Sequence, residues 1–153
     1  MATDGNADEF LEHEPTPTDE RRWRSAAGQG NADAMCNLGL LCHQRGRTSG
    51  SDSAETWWTL AAKEGHVDSM LNLGLLRHEQ GRLDGEFDSA ESWWRDAAAG
   101  GSADAMCNLG LLRHAQGRLD GEDSANSWWT AAVLVDHEDA RHNLALLRQE
   151  LDH

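Results

Sequence analysis

The stretch DSMLNLGLLRHEQGRLDGEFDSAESWWRDAAA, residues 68–99, decides how this chain folds. Its first half is rich in helix formers, and Gly81 stands after them as a left-handed helix-ending residue. Met70, Leu73 and Gly74 fall at i, i+3 and i+4, so they share one helix face. A linker over residues 82–87 leads to Asp88-Ser-Ala-Glu91, which reads as a capping-box start. Beyond it Ala90, Trp94 and Ala97 lie at i, i+4 and i+7, and Gly100 and Gly101 end a second helix.

Working outward, the same helix pair recurs. Asn-Leu-Gly starts at Asn37, Asn72 and Asn108, and Asn-Leu-Ala at Asn143, in steps of 35, 36 and 35 residues. Trp23, Trp58, Trp94 and Trp129 keep the same step, and the one extra residue falls beside Phe87, in a linker. A self-similar period of this length marks a helical repeat array. Each pair leaves an apolar face bare, so stacking supplies the stability. Small residues with one large ring serve that stacking: Gly39, Gly74 and Gly110 admit a neighbouring helix, and each Trp fills the space between successive pairs. Truncating one such Trp to Ala is expected to cost roughly 3–5 kcal/mol.

The predicted fold class is therefore all-α, an α-α solenoid of about four helix pairs. It comprises a capping helix over 18–27, repeats near 31–64, 66–99 and 102–134, and a closing helix over 137–151, all within one domain spanning 17–153. Asp19 and Arg22 stand where inner repeats have Ala54 and Trp57. Arg141, His142, Ala145 and Asp136 replace Met70, Leu71, Gly74 and Gly65. Polar substitutions of this kind suit capping repeats, so the array is expected to be complete. Residues 1–16, acidic and running into Glu-Pro-Thr-Pro over residues 14–17, are expected to form a mobile tail.

Composition narrows the function classes. Asp and Glu number 27 against 13 Lys and Arg, for a net charge of −14, and Lys63 is the single lysine. Such a surface repels phosphate backbones and anionic membranes, so neither nucleic acid nor membrane is expected as a partner. A basic protein partner is compatible with it. Cys36, Cys42 and Cys107 form no close-spaced framework, and MATDGNADEF carries no signal-peptide pattern, so a reduced, cytoplasmic protein is expected.

The order Asn-Leu-Gly, Gly-Arg-Leu-Asp-Gly, then Ala-x-x-Trp-Trp-x-x-Ala-Ala-x-x-Gly resembles Sel1-like repeats, the longer-looped relatives of tetratricopeptide repeats. The resemblance covers roughly residues 18–151. It implies a right-handed superhelix whose Asn-Leu-Gly helices line a concave groove, and a role in protein-protein recognition as an adaptor. One position departs from it. Where those repeats usually carry an aromatic, this chain has Cys42, Arg77, Arg113 and Arg148. An apolar slot has turned polar there, unless the preceding Leu41, Leu76, Leu112 and Leu147 take it over.

The resemblance also implies site residues. In some tetratricopeptide arrays an Asn at the position of Asn37, Asn72, Asn108 and Asn143 clamps the backbone of an extended peptide. An amide has both donor and acceptor, so it suits that task, and it equally suits fixing one helix to another. Asp33, Asp68, Asp104 and Asp139, four residues earlier, could give the groove an acidic lip or simply complement the helix dipole. His43, His78 and His114 recur six residues after Asn37, Asn72 and Asn108 and read as groove-lining side chains. A metal site built from Cys36 or Cys107 with these histidines fails on geometry, since i and i+7 lie roughly 10 Å apart along a helix. The acidic linkers 84–88 and 120–123 lack the alternating ligands of a calcium loop.

No phosphate loop, nucleophile elbow or zinc-protease motif is present. No cofactor, metal or catalytic residue is expected, because a site repeated every turn of the array is architecture rather than chemistry. The expected function is a protein-binding module holding a partner segment, as a monomer or weak homo-oligomer. The alternative is self-association through an apolar edge around Trp128, Trp129, Val133 and Leu134.

Overall fold

The computed structural model describes residues 14–153, and its helices follow the repeat. Among these residues there are eight α-helices and no strand: α1 (Pro17–Gly28), α2 (Ala32–Gln44), α3 (Ala54–Lys63), α4 (Val67–Glu79), α5 (Ala90–Ala99), α6 (Ala103–Ala115), α7 (Ala125–Leu134) and α8 (Glu138–Leu151). Most of the expected tail, residues 1–13, lies outside the described residues. Thr16 caps α1: its hydroxyl accepts from the Asp19 backbone, Asp19 answers on the Thr16 N–H, and Pro17 sets the first turn.

Two kinds of connection alternate, for local reasons. The short turns hold a left-handed residue, Gly30, Gly65, Gly101 or Asp136, and the next residue donates back to a carbonyl five positions earlier. Asp136 adopts φ 65° where the other turns use glycine, a conformation Asp tolerates. The longer linkers fold back on themselves, with Ala54, Ala90 and Ala125 donating to the carbonyls of Arg47, Arg82 and Arg118. The extra residue of the middle linker is accommodated beside Phe87, which is 85 % exposed.

The start signal of the second helices differs from the Asp-x-x-Glu reading. The caps are Ser53, Ser89 and Ser124, each accepting from the backbone three residues on. Asp52, Asp88 and Asp123 precede the caps in left-handed backbone, φ 48–52°. Their carboxylates are thereby turned away from the helix end, toward arginines described below.

Contacts fall into two compact units, one ending at Leu73 and one running from Gly74 to His153, where the sequence pattern suggests a single domain. The division falls inside α4. In the first unit Trp23, Ala27, Ala34, Met35, Leu38, Leu41 and Ala61 form one buried cluster, with Trp57 packed on it. In the second unit Cys107, Ala125, Trp129, Ala132, Ala140, Leu144 and Leu147 do the same.

Candidate functional site

Two layers of recurring side chains need to be separated before a site can be assigned. The first holds the array together. A Cβ added at Gly39, Gly74 or Gly110 would lie under 3.0 Å from the indole of Trp58, Trp94 or Trp129 respectively. The indole nitrogens of Trp58 and Trp129 donate to the carbonyls of Cys36 and Cys107 at 3.3 and 3.2 Å. The glycines thus make room for a specific ring, and the rings are core.

The polar slot is filled by charge. Arg77 is 3 % exposed and Arg113 1 % exposed, yet both carry guanidinium groups. Arg77 donates to Asp88 at 2.7 Å. Arg113 meets both Glu91 and Asp123. Leu41, Leu76, Leu112 and Leu147 are also buried, so the slot is shared rather than surrendered. In the first unit Cys42 is small and buried, and Arg24 reaches Asp52 instead at 3.0 Å. Each Asp also accepts from an indole: Trp57 to Asp52, Trp93 to Asp88 and Trp128 to Asp123, at 2.8–3.0 Å. The hydrogen bonds from Arg24 and Trp57 hold the Asp52 carboxyl down at about 2. At Asp123 burial is the largest influence and works upward, but donation from Arg113 and Trp128 outweighs it and the carboxyl lies well below its ordinary range. In these clusters the linker carboxylates Asp88 and Asp123 are met by arginine and indole donors.

The second layer contains the predicted site residues, and the structure divides them. Asn37 is fully buried, so its amide does not face a ligand. Asn72 and Asn143 are half-buried, and each donates to a cysteine sulfur of the preceding repeat, Cys36 at 3.9 Å and Cys107 at 3.8 Å. Asn108 is half-buried and lines two clefts. His43, His78 and His114 each lean on a core indole, with ring centroids 5.6–5.8 Å apart. Asp68 and Asp139 are exposed. Asp33 and Asp104 pair with His66 and His137, two histidines outside the predicted set. Those two rings are helix caps: their Nδ1 atoms accept from the backbone of Ser69 and Ala140, which leaves Nε2–H to donate to the Asp.

Within the second unit the exposed face of the Asn-Leu helices forms a run of three clefts around Leu111. The first, of about 240 Å³, is lined by Leu75, His78, Trp94, Asn108 and Leu111 among others. The second, about 370 Å³, is bordered by Asn108, Leu111, Asp104, His137, Asp139 and Asn143. The third, about 280 Å³, adds His114, Leu146 and Glu150. Leu75, Leu111 and Leu146 stand at the position after each Leu-Gly or Leu-Ala pair, 42–50 % exposed. A buried core leucine follows each of them in sequence, so only their place on the helix turns them outward.

This helix-pair geometry has solved counterparts. The crystal structure of a protective antigen present in uropathogenic Escherichia coli strains, displaying an SLR fold, superposes with TM-score 0.67 at 27% identity over 85% of this chain. The chain spans 29% of the length of that one. A Sel1 repeat protein from Oxalobacter formigenes superposes with TM-score 0.63 at 23% identity, over 83% of this chain and 97% of the other. The fold is a Sel1-like repeat fold. No protein-family profile and no curated protein matches the sequence.

The buried arginines and the capping histidines of this Sel1-like array escaped the sequence reading for different reasons. The arginines occupy a slot where an aromatic was expected, and nothing local announces that a cation is buried. The histidines were legible in principle. His66 and His137 sit where Asn31 and Ser102 cap the other Asn-Leu helices. Burial pushes the Cys36 thiol up to about 11 and raises Cys42 and Cys107 too, so none of the three is an activated nucleophile. Among the described residues no helix is long and apolar enough to cross a membrane.

Proposed function

We propose that this chain is a protein-interaction module that holds an extended partner segment on the α4–α6–α8 face of its second unit. The observation that carries the proposal is the row Leu75, Leu111 and Leu146, half-exposed and separated by the half-buried amides Asn108 and Asn143. Apolar side chains left in contact with water beside amide groups suit a peptide, whose side chains are apolar and whose backbone is polar. Leu111 borders all three clefts and is the centre of the surface.

The asparagine row acts as a clamp in a reduced form. Asn37 is buried, and Asn72 and Asn143 share their amides with cysteine sulfurs, so Asn108 is the most available member. The self-associating alternative is weaker. Trp129 is buried and Trp128 is tied to Asp123, so the apolar edge shrinks to Leu134, 81 % exposed, and its neighbour Val135.

Panning a displayed random-peptide library on the purified chain tests the reading. Binders are expected, and the Leu111→Asp variant should lose them while keeping native far-UV helicity, because Leu111 is half-exposed. Binders that ignore this substitution would place recognition elsewhere.

A further inference from the structure

None of the three clefts around Leu111 is lined by a lysine or arginine, whereas the second carries Asp104 and Asp139 and the third Glu150. That segregation follows from the fold. Arg77 and Arg82 are drawn to Asp88, Arg95, Arg113 and Arg118 to Asp123, and Arg141 to Asp136. With those cations committed to the linkers and turns, Asp104 and Asp139 keep their charge in the second cleft. Asp104 is hydrogen-bonded by His137, but that ring accepts a backbone N–H at Nδ1 and is therefore neutral when it donates from Nε2. The pair leaves the carboxylate charge uncancelled, and Asp104 remains largely exposed.

The first cleft is different. Its lining is almost wholly apolar, from Leu75, Leu83, Trp94, Leu111 and Leu112. The two clefts share Asn108 and Leu111, so they are adjoining. An extended chain rises about 3.3 Å per residue, so neighbouring side chains of one segment reach both.

We propose that the segment bound here places an apolar side chain in the Leu75–Leu111 cleft and a lysine or arginine, one or two residues away, against Asp104 and Asp139. The proposal rests on the groove reading above and adds the chemistry of the partner. Asn108, between the two clefts, pairs with the segment's backbone and so leaves side-chain selection to the clefts. Lysine or arginine donates a charge-assisted hydrogen bond to either carboxylate.

The test uses peptides recovered by panning on the intact chain. They should be enriched in an apolar residue beside a basic one. Exchanging the basic residue for Gln should weaken binding by roughly tenfold, and the Asp104→Asn/Asp139→Asn double variant should weaken the parent peptide similarly. That variant should leave the Gln peptide unchanged, since the two exchanges remove one interaction. Binding of the parent peptide to the unmodified chain should also fall as salt is raised, a readout that needs no variant. Recovered peptides that lose binding to Leu111→Asp but show no basic preference overturn this proposal and leave the groove standing. Peptides indifferent to Leu111→Asp, or a panning that yields none, overturn both.

Discussion

The indole of Trp129 lies against Gly110 so closely that a methyl group there would fall under 3.0 Å from three ring atoms. The ring has no easy retreat, being buried and hydrogen-bonded to the Cys107 carbonyl. Gly110→Ala therefore sets two effects against each other. Helix propensity favours Ala by about 1 kcal/mol, and overpacking costs about 1–3 kcal/mol. A net loss is expected, read as a lower urea midpoint. A gain in stability would show that the ring can move and that the close approach is not required.

That pairing was the most legible part of the molecule, since a small residue and a large ring that recur at one period point directly to close packing between helices. The fate of Arg113 was not legible. A polar residue in an apolar slot reads as an exposed side chain until the carboxylates that meet it are placed, and Asp123 and Glu91 come from different parts of the chain. The asparagines fall between. Their position on the helix was readable, but whether an amide faces solvent or a cysteine depends on the neighbouring repeat. Asn37 and Asn108, identical in local sequence, end up buried and cleft-lining respectively.

Arg113→Ala should be one of the most damaging single changes in the second unit. It removes a buried guanidinium from between Glu91 and Asp123, leaving Arg95 as the remaining cation at Glu91 and Arg95 and Arg118 at Asp123. Breaking a buried pair from one side costs about 3–5 kcal/mol, and because both carboxylates keep some solvent contact the lower end is expected. Arg113→Lys should recover only part of this, since an ammonium cannot meet two carboxylates with a planar fork. Chemical denaturation measures both. A loss below about 1 kcal/mol for the alanine variant would mean that the cluster is ornamental.

Stability should fall on the acid side of neutrality. Asp52 is held at about 2, and Asp88 and Asp123 are also lowered, against an ordinary value of about 3.9. A carboxyl depressed in the folded state takes up its proton more readily when unfolded. Its contribution is therefore present above about pH 4 and is lost as pH falls toward 2. The urea midpoint followed from pH 6 to pH 2 should drop through that window. Asp52→Asn should lower the midpoint at pH 6 and flatten the drop. An unchanged slope would detach Asp52 from the effect.

His137 should behave as a cap first and as an ionic partner second. Its Nδ1 accepts from Ala140, and its Nε2 donates to Asp104 at 2.8 Å. His137→Ala removes both and is expected to cost about 1 kcal/mol, the usual worth of an N-cap. Ser102 does the capping task in the preceding repeat with a shorter side chain that leaves no ring to reach back. His137→Ser should therefore restore most of the lost stability while leaving Asp104 without its donor. If serine proves as damaging as alanine, the link to Asp104 carries the energy, and the histidine joins one repeat to the next instead of merely starting a helix. Urea unfolding of the three proteins, with Asp104→Asn as the fourth corner, separates these outcomes.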